Sequence, residues 1–305
     1  RGHQEYGKAS IVLEKGGTLF KGLSGRQQVW MSHGDSVTSM PKGFRAIART
    51  ETGAVAAMQN GAVWGVQFHP EVTHTRNGKT MLKNFLEFAG CARDWTPRSL
   101  VDTIRKNIQD DLPKERAILG FSGGVDSTFL AAVAAPVLKK RLLAVTIDGG
   151  HLRENEIVEI KQHARDAGVK HLVIDARLEF GRVMAKTIDA EEKRKRFKKV
   201  YTTLLKKAAK DFGASVIFQG TLAPDRIESG VTGGAMIKSH HNVGLDFGKI
   251  KQYHPIDHLF KYEVRALAKS LGLPESVYNR APFPGPGLFI RVLGIPATPD
   301  NLGIV

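Results

Sequence analysis

Cysteine is almost missing from this sequence. A single one, Cys91, in 305 residues excludes a disulfide framework within the chain and any zinc site built on four thiolates. Long apolar runs are missing too. Nothing approaches the ~18 consecutive apolar residues of a membrane span, and the opening residues do not read as a signal peptide. Acidic residues are short relative to basic ones, 30 against 45, which leaves a net charge of +15. The remainder is ordinary globular composition, 42% apolar and 25% charged, so disorder is excluded as well. The expectation is a soluble, cytoplasmic α/β protein with no membrane partner. At ~150 residues per domain it holds two domains, three at most. So positive a chain suits a polyanionic partner, either nucleic acid or a phosphorylated small molecule.

Short apolar or alternating segments separated by glycines, such as Ile11–Leu13, Gln28–Met31 and Val63–Phe68, predict strands in the first 92 residues. Gly78–Phe88 has helical spacing, with Met81, Leu82, Phe85 and Phe88 on one face. Residues 93–113 contain proline and many charges and read as a linker with a short helix over Ser99–Ile108. From Arg116 onward the pattern is strand, turn, helix. Strands are expected at Ala117–Phe121, Leu142–Ile147, His171–Asp175 and Ser215–Gln219. Helices are expected at Thr128–Leu138, Asn155–Ala167, Phe197–Phe212 and Lys261–Leu271. This alternation implies a parallel sheet covered on both faces, with ligands beyond the carboxyl ends of the strands.

The sharpest motif is Ser122-Gly123-Gly124-Val125-Asp126-Ser127, with Thr128 next, between an apolar strand and an Ala- and Leu-rich helix. Two glycines permit a tight turn that points successive N–H groups outward. The following helix adds the positive end of its dipole, so the loop is an anion site. No Gly-Lys-Ser/Thr follows, so it is not the usual nucleotide P-loop. A carboxylate at Asp126 beside phosphate is repulsive without a divalent cation between them, which predicts Mg²⁺ held by Asp126. The hexapeptide resembles the loop of the ATP pyrophosphatases, which cleave ATP between its α and β phosphates and hold the pyrophosphate. That resemblance implies ATP as substrate.

Later segments narrow the resemblance. Gln219-Gly220-Thr221-Leu222, Pro224-Asp225, Ile227-Glu228-Ser229-Gly230 and Ile237-Lys238-Ser239-His240-His241-Asn242 are similar to the lid region of the GMP synthetase family. Pro282-Phe283-Pro284-Gly285-Pro286-Gly287-Leu288 resembles that family's xanthylate-binding loop, and Glu191-Glu192-Lys193-Arg194-Lys195 a segment whose arginine contacts the substrate nucleotide. The family implies XMP contacts at Arg194, Pro282, Phe283, Pro284, Gly285, Pro286 and Gly287. It implies ATP or pyrophosphate contacts at residues 122–128, Asp148, Gln219, Gly220, Thr221 and Lys238. On composition alone the Pro–Gly loop reads as a structural turn in preference to a binding loop. Lys193–Lys199, with six cations, reads as a solvated helix face or a nucleic-acid patch. His240 and His241 read as surface residues rather than metal ligands, because no carboxylate sits at ligand spacing. The family's usual Asp-Asn-Gly is Asp148-Gly149-Gly150 here, one amide fewer.

The amino-terminal part, Gly65-Val66-Gln67-Phe68-His69-Pro70-Glu71 with Trp30-Met31-Ser32-His33-Gly34-Asp35, resembles the end of a class I glutamine amidotransferase. In that family the histidine activates a cysteine nucleophile and the glutamate orients it, so His69 and Glu71 are the implied catalytic pair. The family's Gly-x-Cys-x-Gly turn does not occur, and Cys91 reads as structural. The chain is therefore expected to begin inside the amidotransferase domain. Gly294–Pro299 resembles part of the carboxyl-terminal dimerisation domain of eukaryotic-type relatives. The expected organisation is half of a class I amidotransferase domain (1–92), a linker (93–113), a parallel-sheet, adenine-nucleotide α-hydrolase-like ATP pyrophosphatase domain (114–293) and a fragment of a dimerisation domain (294–305). The implied reaction joins XMP, ATP and glutamine or ammonia to give GMP, AMP and pyrophosphate, with a homodimer formed through the missing domain. Two rivals stand beside it: a tRNA-modifying ATP pyrophosphatase, which the charge suits, and a protein that keeps nucleotide sites only for regulation. The amidotransferase half and the xanthylate-like loop count against nucleic acid.

Overall fold

Alternation along Glu5–Leu13 forms β1, which pairs antiparallel with β2 (Arg26–His33) from Glu5 opposite His33 to Val12 opposite Arg26. β3 (Arg45–Thr50), β4 (Val55–Asn60) and β5 (Val63–Val66) complete an antiparallel sheet in the order β2-β1-β3-β4-β5. In this computed structural model residues 4–15, 17–92, 94, 96–228, 247–283 and 285–303 are described, and the chain divides into two compact units, 1–93 and 94–305. In the first unit α1 (Gly78–Phe88) packs on the sheet over Ile11, Val29, Met31, Ile47 and Phe68. The helix has the expected bounds but not the expected face. Met81 is fully buried, while Leu82, Phe85 and Phe88 remain 39, 43 and 48% exposed. Asn84 sets this rotation, because its amide donates to the carbonyls of Leu19 (2.9 Å) and Lys21 (2.8 Å). Phe85 and Phe88 are left edge-on to Trp64.

The second unit is a doubly wound parallel sheet in the order β10-β9-β6-β7-β8. Its strands are β6 (Ala117–Gly120), β7 (Leu142–Asp148), β8 (His171–Asp175), β9 (Val216–Phe218) and β10 (Lys251–Tyr253). β10 is a three-residue edge strand that the sequence pattern did not reveal. The helices are α2 (Pro97–Asp111), α3 (Val125–Leu138), α4 (Glu156–Asp166), α5 (Arg177–Met184), α6 (Ala190–Phe212), α7 (Ala223–Glu228) and α8 (Lys261–Ser270). Two single turns, α9 (Glu275–Tyr278) and α10 (Pro299–Leu302), complete the set among the described residues. The winding proceeds β6, β7, β8 and then returns to the other side of β6 with β9. The carboxyl ends of β6 and β9 are thus the topological switch point, where such sheets open a crevice. Among the described residues no helix is long and apolar enough to cross a membrane.

Residues 97–111, read from sequence as part of a connector, form one helix inside the core of the second unit. Thr96 and Ser99 make a capping box with Pro97 in the first turn, and Leu100, Val101, Ile104 and Ile108 are at most 4% exposed. Each such burial contributes roughly 1.5–3 kcal/mol, far more than the polar positions between them suggest. Residues 292–302 also pack on this unit, through Val292, Ala297 and Leu302.

The long helix α6 begins seven residues before the expected start, because Asp189 caps it by accepting from the Glu192 N–H at 2.8 Å. The cationic run is not uniformly solvated, which corrects the expectation from sequence. Lys193 is fully buried, and its ammonium donates to the carbonyls of Val292 (2.5 Å) and Ile295 (2.8 Å). Burial draws its pKa below the ordinary lysine value. Lys193→Met should cost about 2 kcal/mol, since two buried carbonyls lose a charged donor. Urea unfolding followed by circular dichroism reads this directly, and an unchanged midpoint would strip Lys193 of its structural role.

Candidate functional site

The phosphate-type loop leaves β6 at the switch point. Gly123 adopts φ +67°, and a side chain there would meet Ile160 Cγ1 at 2.8 Å, so the position requires glycine on both counts. Gly124 caps α3 with extended backbone, its N–H donating to Ser122 Oγ at 3.3 Å. Ser127 Oγ donates to the Gly124 carbonyl at 3.1 Å and lies 3.2 Å from Ser122 Oγ. Val125 and Ser127 are buried, and Thr128, next along the helix, is fully buried. The result is a rigid helix N-terminus suited to an anion.

Asp126 has a neighbour that sequence reasoning missed. Lys261, at the first position of α8 and 135 residues away, places Nζ 2.5 Å from Asp126 Oδ2. The premise that only a divalent cation relieves Asp126 of repulsion by phosphate is therefore corrected, because the chain supplies a cation itself. Among the described residues no group of three or more His, Cys, Asp or Glu is arranged to hold a metal. Mg²⁺ needs only one or two carboxylates when phosphates and water supply the other ligands. Asp126 fits that shared mode and not a metal held by protein alone.

Gly220 faces the loop across the switch point, where a Cβ added to it would lie 3.5 Å from Asp126 Cβ. Gln219 and Thr221 on either side are buried. Thr221 Oγ1 pairs with His254 Nδ1 at 3.0 Å, and Gln219 Nε2 reaches Gln252 Oε1 at 3.4 Å. At the end of β7, Asp148 Oδ1 accepts the Gly150 N–H at 2.9 Å and so shapes the turn. Gly149 has no room for an amide, since a Cβ there would lie 2.5 Å from the Phe180 ring. Lys238, His240 and His241, with the rest of residues 229–246, lie outside the described residues, as does Pro284.

The Pro–Gly loop docks on the same end of the sheet. Leu288 N–H donates to the His151 carbonyl at 2.8 Å, and a Cβ on Gly287 (φ +56°) would fall 2.2 Å from that oxygen. Pro286 is buried and Pro282 exposed, while Gly285 is half-buried. The Phe283 ring lies under two guanidinium groups, 4.8 Å from Arg153 and 5.0 Å from Arg291. Arg194 is half exposed on α6, 3.3 Å from Glu191.

In the first unit Phe68 bridges to Met31, which fixes the residue after it: His69 N–H donates to the Trp30 carbonyl at 3.0 Å. His69 Nδ1 meets Glu71 Oε1 at 2.8 Å, and backbone hydrogen bonding followed by the His69 contact lowers the Glu71 pKa. Thr75, unremarked in the sequence, donates to the His69 carbonyl at 2.5 Å and accepts the Trp30 N–H at 3.0 Å. Cys91 is exposed just past α1, its N–H on the Leu86 carbonyl.

A histidine paired with a glutamate beside an antiparallel sheet is followed by a glycine-rich phosphate-type loop on a doubly wound sheet, and each of the two units is similar to a different enzyme family. Residues 1–88 match the family model of class-I glutamine amidotransferases, and residues 97–204 match that of NAD synthase. The chain is 46% identical over 302 residues to glutamine-hydrolysing GMP synthase of Thermus thermophilus, a match covering 96% of this chain and 59% of that protein. For the GMP synthases of Bacteroides fragilis and Pyrobaculum aerophilum, identity is 39 and 40%, covering 100% of this chain and 61% of each protein. The chain is a homologue of the glutamine-hydrolysing GMP synthases and spans about three fifths of the length of these curated relatives. At the level of fold, NMN synthetase from Francisella tularensis aligns with a TM-score of 0.50 at 16% identity, over 70% of this chain and 83% of that one.

The packing of the Pro–Gly loop has a consequence for stability. His151 is buried among Phe180, Phe197 and Phe289, stacked on the last at 5.2 Å. Burial outweighs the nearby Asp148 and Glu156 charges and lowers its pKa to about 4. An unfolded chain protonates this histidine near its ordinary value of 6.5, whereas the folded chain does not until about pH 4. Its contribution to stability is therefore complete above pH 6.5 and is lost as pH falls toward 4, by up to about 3 kcal/mol. Urea midpoints between about pH 7 and 4.5 should fall less steeply for His151→Phe than for the unsubstituted chain. Parallel pH profiles would assign the titration elsewhere.

Proposed function

We propose that this chain carries the synthetase half of a GMP-forming reaction, with XMP and ATP as substrates and ammonia as the nitrogen donor, plus the His69–Glu71 part of the glutamine-hydrolysing half. The observation that carries the reading is the convergence of two loops at one end of one sheet: the loop at residues 122–127, built for an anion, and the Pro–Gly loop seated on His151. Similarity to GMP synthases over nearly the whole chain supports the same assignment.

The chemistry follows from what each part can hold. The C2 oxygen of XMP is a poor leaving group. It attacks the α phosphorus of ATP, the new O–P bond forming as the bond to the β-phosphate oxygen breaks. Pyrophosphate departs into the N–H groups of the loop at residues 122–127 and the positive end of α3. Lys261, held beside Asp126, adds a positive charge where negative charge accumulates. Asp126 is the residue that would hold Mg²⁺, and the ion would supply further charge neutralisation there. Ammonia then attacks C2 and AMP leaves. Much of the acceleration expected from such a site is positioning and charge stabilisation. In the glutaminase half Glu71 orients His69 as the base for a cysteine nucleophile. A tRNA substrate is not favoured, since the relatives are GMP synthases.

The direct test supplies the chain with ATP, Mg²⁺, ammonium and XMP and measures pyrophosphate, AMP and GMP. Release of pyrophosphate should require XMP. Asp126→Ala should reduce it by about a hundredfold or more, the scale of losing one preorganised electrostatic group. Arg194→Ala should raise KM for XMP far more than KM for ATP. Pyrophosphate release that ignores XMP, or that responds to tRNA instead, would reject the reading.

A further inference from the structure

Between the Pro–Gly loop and the phosphate loop runs a set of charged contacts that the proposed reaction does not use. The ring of Phe283 rests against Arg153, 4.8 Å from its guanidinium carbon. Arg153 grips Glu156 three ways: backbone N–H to Oε2 at 2.9 Å, Nε to Oε2 at 3.3 Å and Nη2 to Oε1 at 3.2 Å. Glu156 is 3% exposed and is also ion-paired with Arg280, whose side chain is 9% exposed. Arg280 Nη1 donates to the Gly123 carbonyl at 3.4 Å. His163 Nδ1 contacts the same oxygen at 2.9 Å, while its Nε2 meets Ser276 Oγ at 3.2 Å.

Two features make this more than a structural ion pair. A buried salt bridge seldom stabilises a fold more than apolar packing of equal volume, because desolvating both charges offsets their attraction. What it does provide is fixed geometry, since a planar guanidinium holds its partners at set angles. Its two ends are also the two loops themselves. Arg280 lies two residues before Pro282, and its other end rests on the peptide whose reversal turns the N–H groups of the phosphate loop outward.

We propose that Arg280 and Glu156 are positioning residues that couple the two loops, so that pyrophosphate on residues 122–127 tightens the binding of XMP beside Phe283. The proposal rests on the functional reading above. An anion on the N–H groups removes what movement the preformed loop retains at the Gly123 peptide, whose carbonyl Arg280 and His163 already hold. Arg280 then has one preferred position, Glu156 follows it, and Arg153 is fixed against Phe283. By linkage, XMP tightens pyrophosphate by the same factor.

The experiment measures XMP binding to the whole chain by calorimetry, with and without magnesium pyrophosphate. In the unsubstituted chain pyrophosphate should tighten XMP by about fivefold or more, the ordinary lower range of such coupling. In Arg280→Lys and in Glu156→Gln, XMP alone should bind with little change while the pyrophosphate effect falls toward none. A residue that merely stabilises the fold would instead weaken both ligands and leave their ratio intact. Glu156→Gln keeps the shape of the site, and so preserves the test if Arg280→Lys does not fold. Coupling that is undiminished in a folded variant, or that is missing from the unsubstituted chain although XMP binds, would overturn the proposal. Failure of the unsubstituted chain to bind XMP at all would instead remove the reading beneath it.

Discussion

The second unit depends on one peptide carbonyl turned inward. At Gly123 the backbone reverses, the carbonyl points into the protein, and the following N–H groups are released toward the crevice. A buried carbonyl needs partners, and an unpaired one would cost about 1–3 kcal/mol. His163 and Arg280 supply them from two different elements, α4 and the segment after α9. Once that oxygen is satisfied, the loop can keep a conformation that would otherwise relax, and the anion site exists before any anion arrives. Such preorganisation lets a site bind without first losing energy to rearrangement.

Fold class was legible because burial leaves a periodic trace. Strands β6 and β7 are apolar runs enclosed on both faces, and α3 is nearly all apolar because it too is covered. The motif at residues 122–127 was legible because its chemistry is local: glycines, hydroxyls and a helix start within six residues. The partners of that motif were not. His163, Lys261 and Arg280 reach it only through tertiary packing, across sequence separations of 40, 135 and 157 residues, and Glu156 reaches it through Arg280. Periodicity says which face of a helix is apolar, not which single polar group on it will be drawn inside. Asn84 shows the same limit in the first unit. Its amide, bonded to two carbonyls, rotates α1 away from the face that Phe85 and Phe88 suggested.

Net charge was the least informative quantity. An excess of fifteen positive charges suggests a polyanion-binding surface. Yet several of the cations that matter are spent inside the protein: Lys193 on two carbonyls, Arg280 on Glu156 and Gly123, and Arg141 on the carbonyls of Leu112 and Glu115. Lys261 is committed to Asp126 at the mouth of the loop. A sequence count cannot separate these from lysines in solvent, because the distinction is geometric.

The Pro–Gly loop illustrates how a flexible-looking composition is held in place. Proline fixes its own φ, but a loop of alternating proline and glycine still has freedom at every glycine. At Gly287 that freedom is removed from below. Gly287 sits so close to the His151 carbonyl that no side chain fits, Leu288 bonds the same oxygen, and Phe289 stacks on the His151 ring within a cluster of aromatic side chains. His151 in turn follows the turn that Asp148 shapes at the end of β7. The loop's position is therefore inherited from the sheet through a short chain of contacts. A neutral histidine is what this arrangement needs. An imidazolium in the same apolar cluster would have to be solvated, and solvating it would lift the loop off the strand end that locates it.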